Sequence, residues 1–412
     1  MKIAIIGGGA AGMMAAATIA EKDPGAEVVL IEKNDSLGKK VIISGGGRCN
    51  VTTGLDDVKE VLSRYPRGGK FLTKAMYAFP PKAMREWMED HGVPMKIEKD
   101  GRAFPQSDDG RDVVRVFLNI FKKANVKVLY KATVEDIKKT KDGFAVKIKN
   151  QKEIISADKV ILTTGGQAYR QTGSAGDGYA FATKLGHSIT PLAPSLSAFH
   201  AKETWPAKLA GLSFAKVKLD AKKESENSKK FTMTGPMMFT HKGITGPAVF
   251  AMSSLLAFET ISANNPVVIT IDLFSEEKLP DVNCKFATLV KKNFKKNIVT
   301  VLNLMIPKSL AVILCEEIDL DATKVSSQIS KKEIEKIVGW IKGMPLHIIA
   351  RAAGEEFVTA GGVCLDEVDP KTMESKKCSG LYFAGEILDV DGFTGGFNLQ
   401  SAWATGYAAA SY

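Results

Sequence analysis

The sequence predicts an α/β fold, in which a Rossmann-type nucleotide-binding domain is interrupted by an insert. Three features indicate this fold. A glycine-rich turn lies between a strand and a helix near residue 7, and a second such turn lies near residue 395. Between the two turns, the spacing of apolar residues changes to short alternating runs and then to helical spacing. At 412 residues the chain is longer than one compact core usually holds, which also favours an inserted domain.

The composition is that of a soluble globular protein, with 45% apolar and 25% charged side chains, and it excludes a disordered or collagen-like chain. No apolar run reaches the roughly eighteen residues that a membrane-spanning helix needs. The apolar start at Ile3–Ile6 is followed by glycines rather than by a signal-peptide pattern. A cytoplasmic protein without membrane contact is therefore expected.

The cysteines indicate a reducing compartment. They are odd in number, widely spaced and free of any C-x-x-C pair, at Cys49, Cys284, Cys315, Cys364 and Cys378. This spacing supports neither a disulfide framework nor a structural zinc site, so no metal site is predicted.

The net charge of +10 reflects 56 basic and 46 acidic residues. Between residues 191 and 350 there are 21 lysines against 15 acidic residues, so the excess is spread along the chain. This distribution favours a solvated basic surface over nucleic-acid binding. Few aromatic residues alternate with the basic ones, which also speaks against nucleic acid as a partner.

A dinucleotide-binding motif follows the first predicted strand, Lys2–Ile6, and precedes an Ala-rich helical stretch, Met13–Ile19. In the G-x-G-x-x-G pattern the first glycine makes the turn, the second lets the backbone approach a pyrophosphate, and the third allows close helix–strand packing. The phosphates then lie on free N–H groups at the helix start. The residues predicted to bind the cofactor here are Gly7, Gly9, Ala10, Ala11 and Gly12.

An acidic residue closes this motif. The second predicted strand, Val28–Ile31, ends in Glu32, twenty residues beyond Gly12, where a dinucleotide fold places the carboxylate that binds ribose hydroxyls. Lys33 follows it and is also predicted to border the cofactor. This segment alone does not distinguish FAD from NAD.

The choice of FAD comes from the other end of the chain. A predicted strand, Gly380–Phe383, leads to a glycine and a carboxylate, and Gly392–Gly396 then precede a helix. FAD is long enough to need both of its ends held, and the free N–H groups of this helix would face the flavin and stabilise negative charge there. The residues predicted to bind it are Gly385, Glu386, Gly395, Gly396, Phe397, Asn398, Leu399 and Gln400.

A third element is a predicted strand, Asp158–Thr163, which opens into a Gly-Gly turn before the helix Tyr179–Leu185. Upstream of it, an extended segment could bind an adenine ring through its backbone, although a plain edge strand would have the same sequence. The predicted cofactor residues are Thr133, Val134, Thr164, Gly165 and Gly166.

Three consecutive glycines lie beside a charged residue in the segment GKKVIISGGGRCN, residues 38–50. Such a run usually marks close backbone approach, so we expect it against the flavin or its phosphates. Arg48 either pairs with an anion or fixes the loop, and Cys49 is either redox active or a small packing residue. The candidates are Lys40, Ser44, Gly45, Gly46, Gly47, Arg48, Cys49 and Asn50.

The sequence of the insert predicts a β part followed by a helical part. Short alternating runs such as Ala215–Leu219 and Val267–Ile271 predict strands. Apolar residues at three- and four-residue spacing then predict helices at Phe286–Phe294, Leu310–Glu317 and Lys331–Ile341. Pro345–Ala350 is expected to return through the β part to the first domain.

Candidate residues for chemistry are few, because flavin N5 exchanges hydride without a protein nucleophile. His241 and Lys242 lie in a turn that resembles a lid, and they are candidates for proton transfer or substrate contact; a histidine that caps the turn is the alternative. Arg351 either clamps a substrate carboxylate or forms a structural salt bridge.

Together these segments resemble the BaiN-like flavoproteins, also called the aminoacetone-oxidase-family FAD-binding enzymes. The resemblance runs from residue 1 to about 410 and rests on GGGRCN, GRAFP, FTHKGITGP, VTAGGV and GLYFAGEILDVDGFTGGFNLQSAWATG. It implies a glutathione-reductase-type FAD domain, at residues 1–190 and 351–412. It also implies an insert with a small β-barrel, at 191–275 and 343–350, and a helical subdomain, at 276–342.

Members of this family are described as NAD(P)- and FAD-dependent oxidoreductases, with a bile-acid ring reductase among them. We therefore expect reduction of an unsaturated or keto small molecule, with NAD(P)H as a transient electron donor. An amine or aminoketone oxidase that uses oxygen, and a flavin-dependent RNA-associated protein, are the alternatives. The related soluble fumarate reductases carry a histidine where Phe357 and Val358 lie, which argues against dicarboxylate reduction. The sequence indicates no oligomeric state.

Overall fold

The computed structural model describes residues 1–124, 126–222, 230–352, 354 and 356–411. It divides into two compact units, Met1–Ser195 with Glu356–Tyr412, and Leu196–Glu355. The second unit contains both the β part and the helical part of the predicted insert. The finer division into three parts, with boundaries at 190, 275, 342 and 350, stays a prediction.

The first unit contains thirteen of the described strands and eight of the described helices, numbered in order along the whole chain. Its strands are β1 Lys2–Ile6, β2 Glu27–Ile31, β3 Thr52–Thr53, β4 Met95–Ile97, β5 Arg102–Pro105, β6 Lys127–Leu129, β7 Val134–Thr140, β8 Gly143–Ile148, β9 Ile154–Ala157, β10 Lys159–Leu162, β11 Ala193–Ser195, β18 Val358–Ala360 and β19 Leu381–Phe383. Its helices are α1 Ala10–Lys22, α2 Lys39–Ile43, α3 Val58–Leu62, α4 Thr73–Ala78, α5 Pro81–Asp90, α6 Gly110–Lys123, α7 Asp177–Lys184 and α13 Phe397–Ala409.

A five-stranded parallel sheet of order β19-β10-β1-β2-β6 forms the centre of this unit. Its inner strands are apolar on both faces, as in β1, where Ile3, Ala4 and Ile5 are all buried. The last strand of the chain thus pairs beside β10, in the sheet that the first strand also joins. Smaller antiparallel sheets, β3-β5-β4, β7-β8-β9 and β11-β18, complete the unit.

Helices α1 and α13 pack against each other at close range. A Cβ atom at Gly406 would lie 2.5 Å from the carbonyl oxygen of Ala11, so only glycine permits this approach. Both helices are rich in alanine and mostly buried. Their contact brings the two glycine-rich turns to one side of the first unit.

The second unit combines a closed barrel with helices. Six strands close it in the order β12-β15-β14-β13-β16-β17. They are β12 Phe199–Ala201, β13 Ser213–Lys222, β14 Lys230–Thr240, β15 Gly243–Thr245, β16 Val267–Asp272 and β17 Met344–Arg351. The helices are α8 Pro247–Leu255, α9 Leu279–Lys292, α10 Ile298–Leu302, α11 Lys308–Glu317 and α12 Lys331–Lys342.

The predicted α/β class with an inserted barrel is confirmed, and element boundaries differ in places. Helix α9 begins at Leu279, seven residues before the predicted start at Phe286, and ends at Lys292. Pro280 at the first turn starts this helix, because its fixed φ suits that position and its missing N–H is not needed there. In the part of the chain that the structure describes, no helix has the length and apolarity to cross a bilayer.

Candidate functional site

The turn between β1 and α1 owes two of its glycines to packing within the chain. Gly7 has φ +108°, and a Cβ atom there would lie 2.5 Å from the carbonyl oxygen of Thr163. A Cβ atom at Gly12 would lie 1.9 Å from the carbonyl oxygen of Gly7. Both positions therefore require glycine with or without a ligand.

At Gly9, by contrast, no packing contact within the described chain requires glycine. Its φ of −82° is open to any residue, and no atom lies within 4 Å of a Cβ atom placed there. It is the N-cap of α1 and is followed by Ala10 and Ala11, whose N–H groups belong to the unpaired first turn of a helix. The free space and these donors fit a pyrophosphate that lies against the backbone.

Glu32 is held at the end of β2. It is only 7% exposed, and its two carboxylate oxygens accept hydrogen bonds from the backbone N–H groups of Gly8 (2.7 Å) and Asn34 (2.8 Å). Each oxygen keeps a second lone pair, so the carboxylate can also accept ribose hydroxyls. The neighbouring Lys33 pairs with Asp177 at the start of α7.

Lys40 and Glu386 connect segments that are far apart in sequence. The Lys40 ammonium lies 2.8 Å from a carboxylate oxygen of Glu386 and 3.2 Å from the hydroxyl of Ser174. The other oxygen of Glu386 accepts the backbone N–H of Thr359 at 2.9 Å. Two residues that were both predicted to bind the cofactor are thus in contact.

The Gly-Gly turn after β10 packs against β18. A Cβ atom at Gly166 would lie 2.6 Å from the hydroxyl oxygen of Thr359, which accepts the N–H groups of Gln167 (2.7 Å) and Ala168 (3.1 Å). Gly165 has φ +74°. The hydroxyl of Thr164 is buried and has no hydrogen-bond partner among the described residues.

The three-glycine run forms a tight turn of left-handed backbone. Gly45, Gly46 and Gly47 have φ values of +59°, +74° and +92°, which other residues rarely adopt. Gly45 also packs against Phe104. Around Gly46 and Gly47 there is no atom within 4 Å of a Cβ position, so a ligand has room there. Ser44 donates to the carbonyl of Val41 at 2.8 Å and begins the turn.

Arg48 contacts two carboxylates within the first unit. Its guanidinium lies 2.7 Å from Glu98 and 3.4 Å from Asp108, and 4.0 Å from the ring centre of Phe104. These contacts correspond to the loop-fixing interpretation. Pairing with a pyrophosphate or a substrate anion stays a prediction, and it would require exchange of these partners.

Cys49 lies in the core behind this turn. It is fully buried, and burial raises the pKa of its thiol to about 12. Thiolate is the reactive form, and at neutral pH almost none is present. This environment favours the packing role over a redox role.

Alkylation tests this assignment. In native protein near neutral pH, we expect iodoacetamide to modify the exposed Cys284 and to leave Cys49 unmodified, because the latter is both buried and protonated. Peptide mass spectrometry after timed quenching measures both. A denatured sample is the control, in which all five cysteines should react. Native modification of Cys49 at the rate of Cys284 would contradict the assignment.

The start of α13 is fixed by its own side chains. The Asn398 amide exchanges two hydrogen bonds with the backbone of Gly392, at 2.8 and 2.7 Å. Gln400 is fully buried, accepts from the Thr52 hydroxyl at 2.6 Å and donates to the carbonyl of Phe79 at 2.8 Å. These side chains are therefore structural, and the backbone N–H groups of Phe397, Asn398 and Leu399 are the groups available to a flavin.

Glycines bring neighbouring backbone close to this helix start. A Cβ atom at Gly396 would lie 2.4 Å from the carbonyl oxygen of Thr52, and one at Gly385 would lie 2.9 Å from the Cβ of Ala11. Gly395 has φ +134°. The oxygen of the Asn50 amide can accept the N–H of Gly396 at 2.9 Å, which joins the three-glycine turn to α13.

The predicted adenine segment runs beside Glu32. Ala132 donates its N–H to the carbonyl of Glu32 at 2.9 Å, and the carbonyl of Thr133 accepts the N–H of Lys149 at 2.8 Å. Val134 begins β7 opposite Ile148. The structure places this segment next to Glu32, and both ribose binding by Glu32 and an adenine contact stay predictions.

The remaining candidates lie in the second unit. His241 and Lys242 are exposed in the turn between β14 and β15, where the Thr240 hydroxyl accepts the N–H of Gly243 at 3.1 Å. Thr240 therefore caps this turn, and the His241 ring has no hydrogen bond to a described residue. Arg351 donates to the carbonyl oxygens of Leu256 and Glu259, which is a structural contact at the end of α8.

Sequence reasoning did not identify Ser174 and Thr359 as neighbours of the cofactor residues. Ser174 lies in a glycine-rich segment, GSAGDG, and that composition was the available signal. Thr359 lies in a short strand of ordinary composition, and nothing in the sequence relates it to Glu386.

A family model described as the HI0933-like protein Rossmann domain matches residues 1–412. The chain belongs to the HI0933-like family. The 3-dehydro-bile acid delta(4,6)-reductase of Clostridium scindens is 32% identical over 411 residues, which cover 99% of this chain and 98% of the relative. The ribosomal RNA dihydrouridine synthase of Escherichia coli is 29% identical over 414 residues, with 98% and 96% covered.

Solved structures show the same fold at low identity. The 3-ketosteroid-delta4-(5alpha)-dehydrogenase from Rhodococcus jostii RHA1 has a TM-score of 0.52 at 14% identity, and the match covers 100% of this chain and 96% of that one. The family match and the reductase relative identify the HI0933-like chain as a flavoprotein oxidoreductase that uses FAD. The space at Gly9, the carboxylate of Glu32 and the free helix starts of α1 and α13 fit that cofactor.

Proposed function

We propose that this protein reduces a carbon–carbon double bond conjugated to a carbonyl group, with electrons from NAD(P)H. The observation that carries the proposal is the chemistry shared by its relatives' names. A 3-dehydro-delta(4,6) steroid has double bonds conjugated to a 3-oxo group, and dihydrouridine is uridine saturated at the double bond conjugated to a carbonyl. Reduction of a double bond directly conjugated to a carbonyl adds hydride at the β carbon and a proton at the α carbon.

Dicarboxylate reduction is less well supported. The fumarate reductase flavoprotein subunit of Mycobacterium tuberculosis is 28% identical over 214 residues, which cover only 45% of this chain and 37% of that protein. Where soluble fumarate reductases carry a histidine, this chain has Phe357, whose ring stacks on Tyr169 at 5.9 Å. A stacked phenylalanine has no group that binds a carboxylate.

The mechanism assigns separate tasks to the chain. When bound, FAD supplies hydride transfer through its N5 atom. Gly9, Ala10 and Ala11 would leave space and N–H donors for the pyrophosphate, and the start of α13 would stabilise negative charge on the flavin by about 0.3–1 kcal/mol. The Lys40–Glu386 pair joins α2, which precedes the three-glycine turn, to the loop between β19 and α13.

A proton for the α carbon is the remaining requirement. His241 is our candidate for its donor, because Thr240 caps the turn in its place and the ring is exposed. Histidine is the side chain that most often acts as a general acid in enzymes. Lys242 is the second candidate on the same turn.

Anaerobic stopped-flow mixing tests the proposal in two half-reactions. We expect NADPH or NADH to bleach the flavin of the holoenzyme, and a 4,6-dien-3-one steroid or a uracil nucleotide to restore its colour. With His241→Gln, bleaching should be unchanged and recolouring about 100-fold slower, since general acid catalysis contributes roughly 10²–10⁴. Slow recolouring in Lys242→Gln, with His241→Gln unaffected, would assign the proton donor to Lys242 instead. Bleaching by amines alone, with recolouring only by oxygen, would support an oxidase instead.

A further inference from the structure

A cluster of lysines surrounds an exposed phenylalanine at the end of α9, in the second unit. Lys291, Lys292, Lys295 and Lys296 are all exposed, and none forms an ion pair with a described residue. Other lysines nearby in sequence are paired: Lys285 lies 3.1 Å from Glu277, and Lys324 lies 2.7 Å from Glu333. We call residues 291–296 the lysine platform.

The backbone of the lysine platform is fixed rather than loose. The Asn293 side chain donates to the carbonyl of Leu289 at 2.8 Å. The N–H groups of Ser327 and Ser326 donate to the carbonyls of Phe294 (3.0 Å) and Lys296 (2.9 Å). The platform therefore presents its charges from a defined conformation, which lowers the entropy cost of binding a polyanion.

An aromatic ring lies among these charges. Phe294 is 53% exposed, and the Lys295 ammonium lies 5.6 Å from its ring centre. A groove of about 630 Å³ runs along the same helix, lined by Lys285, Thr288 and the 55%-exposed Leu304 among others. None of the residues that line this groove belongs to the platform, but Lys292 follows Lys285 and Thr288 at helical spacing, so the platform continues the same face of α9 beyond the groove.

Interaction with the dipole of α9 explains the positions of only two of the four lysines of the platform. Lys291 and Lys292 lie in the last turn of α9, where cations stabilise the helix dipole. Lys295 and Lys296 lie beyond the helix and gain nothing from it. An exposed ring between unpaired cations is the arrangement that binds single-stranded nucleic acid, with phosphates on the lysines and a base stacked on the ring.

We infer that the lysine platform binds single-stranded RNA. Choosing RNA over other polyanions rests on the proposed function, because a pyrimidine base contains a double bond conjugated to a carbonyl. The binding itself does not depend on that function, and its test uses no turnover.

Fluorescence anisotropy measures this binding. The probe is a labelled oligouridylate of about 20 nucleotides, which is titrated with holoenzyme at several salt concentrations between roughly 50 and 200 mM. Single strands give a slope of about −0.7 in log affinity against log salt for each phosphate contact. Replacing all four lysines by glutamine should flatten the slope by about 2 to 3. Phe294→Ala should weaken binding about 5-fold or more at an unchanged slope, because base stacking does not depend on salt.

The control is a variant that loses the same amount of charge elsewhere. It replaces by glutamine four exposed lysines of the first unit that form no ion pair with a described residue: Lys59, Lys74, Lys122 and Lys123. It should bind like the wild type. Absence of RNA binding at low salt, equal losses in both quadruple variants, or binding to anionic vesicles in preference to RNA would each overturn the inference. The stopped-flow assay with a steroid acceptor needs no RNA, so failure of the proposed function is detected separately.

Discussion

Replacing Gly9 by valine is expected to weaken FAD binding roughly 100-fold or more while the protein still folds. Apart from its two chain neighbours, nothing in the described chain lies within 4 Å of a Cβ atom at this position, and φ is ordinary, so the protein leaves space where the side chain begins. It would instead occupy the space in which a pyrophosphate approaches the N–H groups of Ala10 and Ala11. Losing one or two hydrogen bonds to a charged group, at about 1.5–3 kcal/mol each, lowers affinity roughly 100-fold or more.

Gly339→Val is the matched control for this change. Gly339 lies in α12, also has no atom within 4 Å of a Cβ position, and has no positive φ. The flavin-to-protein ratio of purified protein, a titration of apoprotein with FAD and a thermal melt of the apoprotein compare the two variants. Full flavin content in Gly9→Val would disprove the pyrophosphate site, and a melt lowered far more than that of Gly339→Val would point to misfolding.

The glycine-rich turn and the acid at the end of β2 could be predicted because each depends on residues that are close together in the sequence or in adjacent strands. The turn from β1 to α1 needs glycine at Gly7 and Gly12 for contacts within a few residues or with an adjacent strand. The acid at the end of β2 follows at a fixed spacing for the same reason. The order strand, glycine-rich turn, helix, strand and acid can therefore be predicted from residue types alone.

Pairings between distant residues could not be predicted. The contact of Lys40 with Glu386 spans 346 residues, and it exists because β19 joins the sheet beside β10. The sequence left two roles open for Arg48, and only the positions of Glu98 and Asp108 in the fold show which carboxylates it meets. Side-chain partners of this kind depend on the tertiary fold, which periodicity does not encode.

One ion pair that sequence reasoning missed should be among the most important for stability. The guanidinium of Arg67 binds both carboxylate oxygens of Asp391, whose side chain is 0% exposed, and the Ser195 hydroxyl donates to the same carboxylate at 2.7 Å. Asp391 lies in the loop between Glu386 and α13, and Arg67 lies between α3 and α4. The pair thus ties the loop beside the candidate flavin site to the body of the first unit.

Arg67→Met should lower the free energy of unfolding by about 3–5 kcal/mol, because it leaves a buried carboxylate without its cation. Arg64→Met is the control, since Arg64 forms an exposed pair with Glu60 at 2.9 Å, and such pairs contribute only about 0.3–0.5 kcal/mol. Urea unfolding of both variants measures the difference. Adding Asp391→Leu to Arg67→Met should recover part of the loss, because the uncompensated charge is then removed. Equal stability of the two single variants, or a further loss in the double variant, would mean that the buried charge is not the cause.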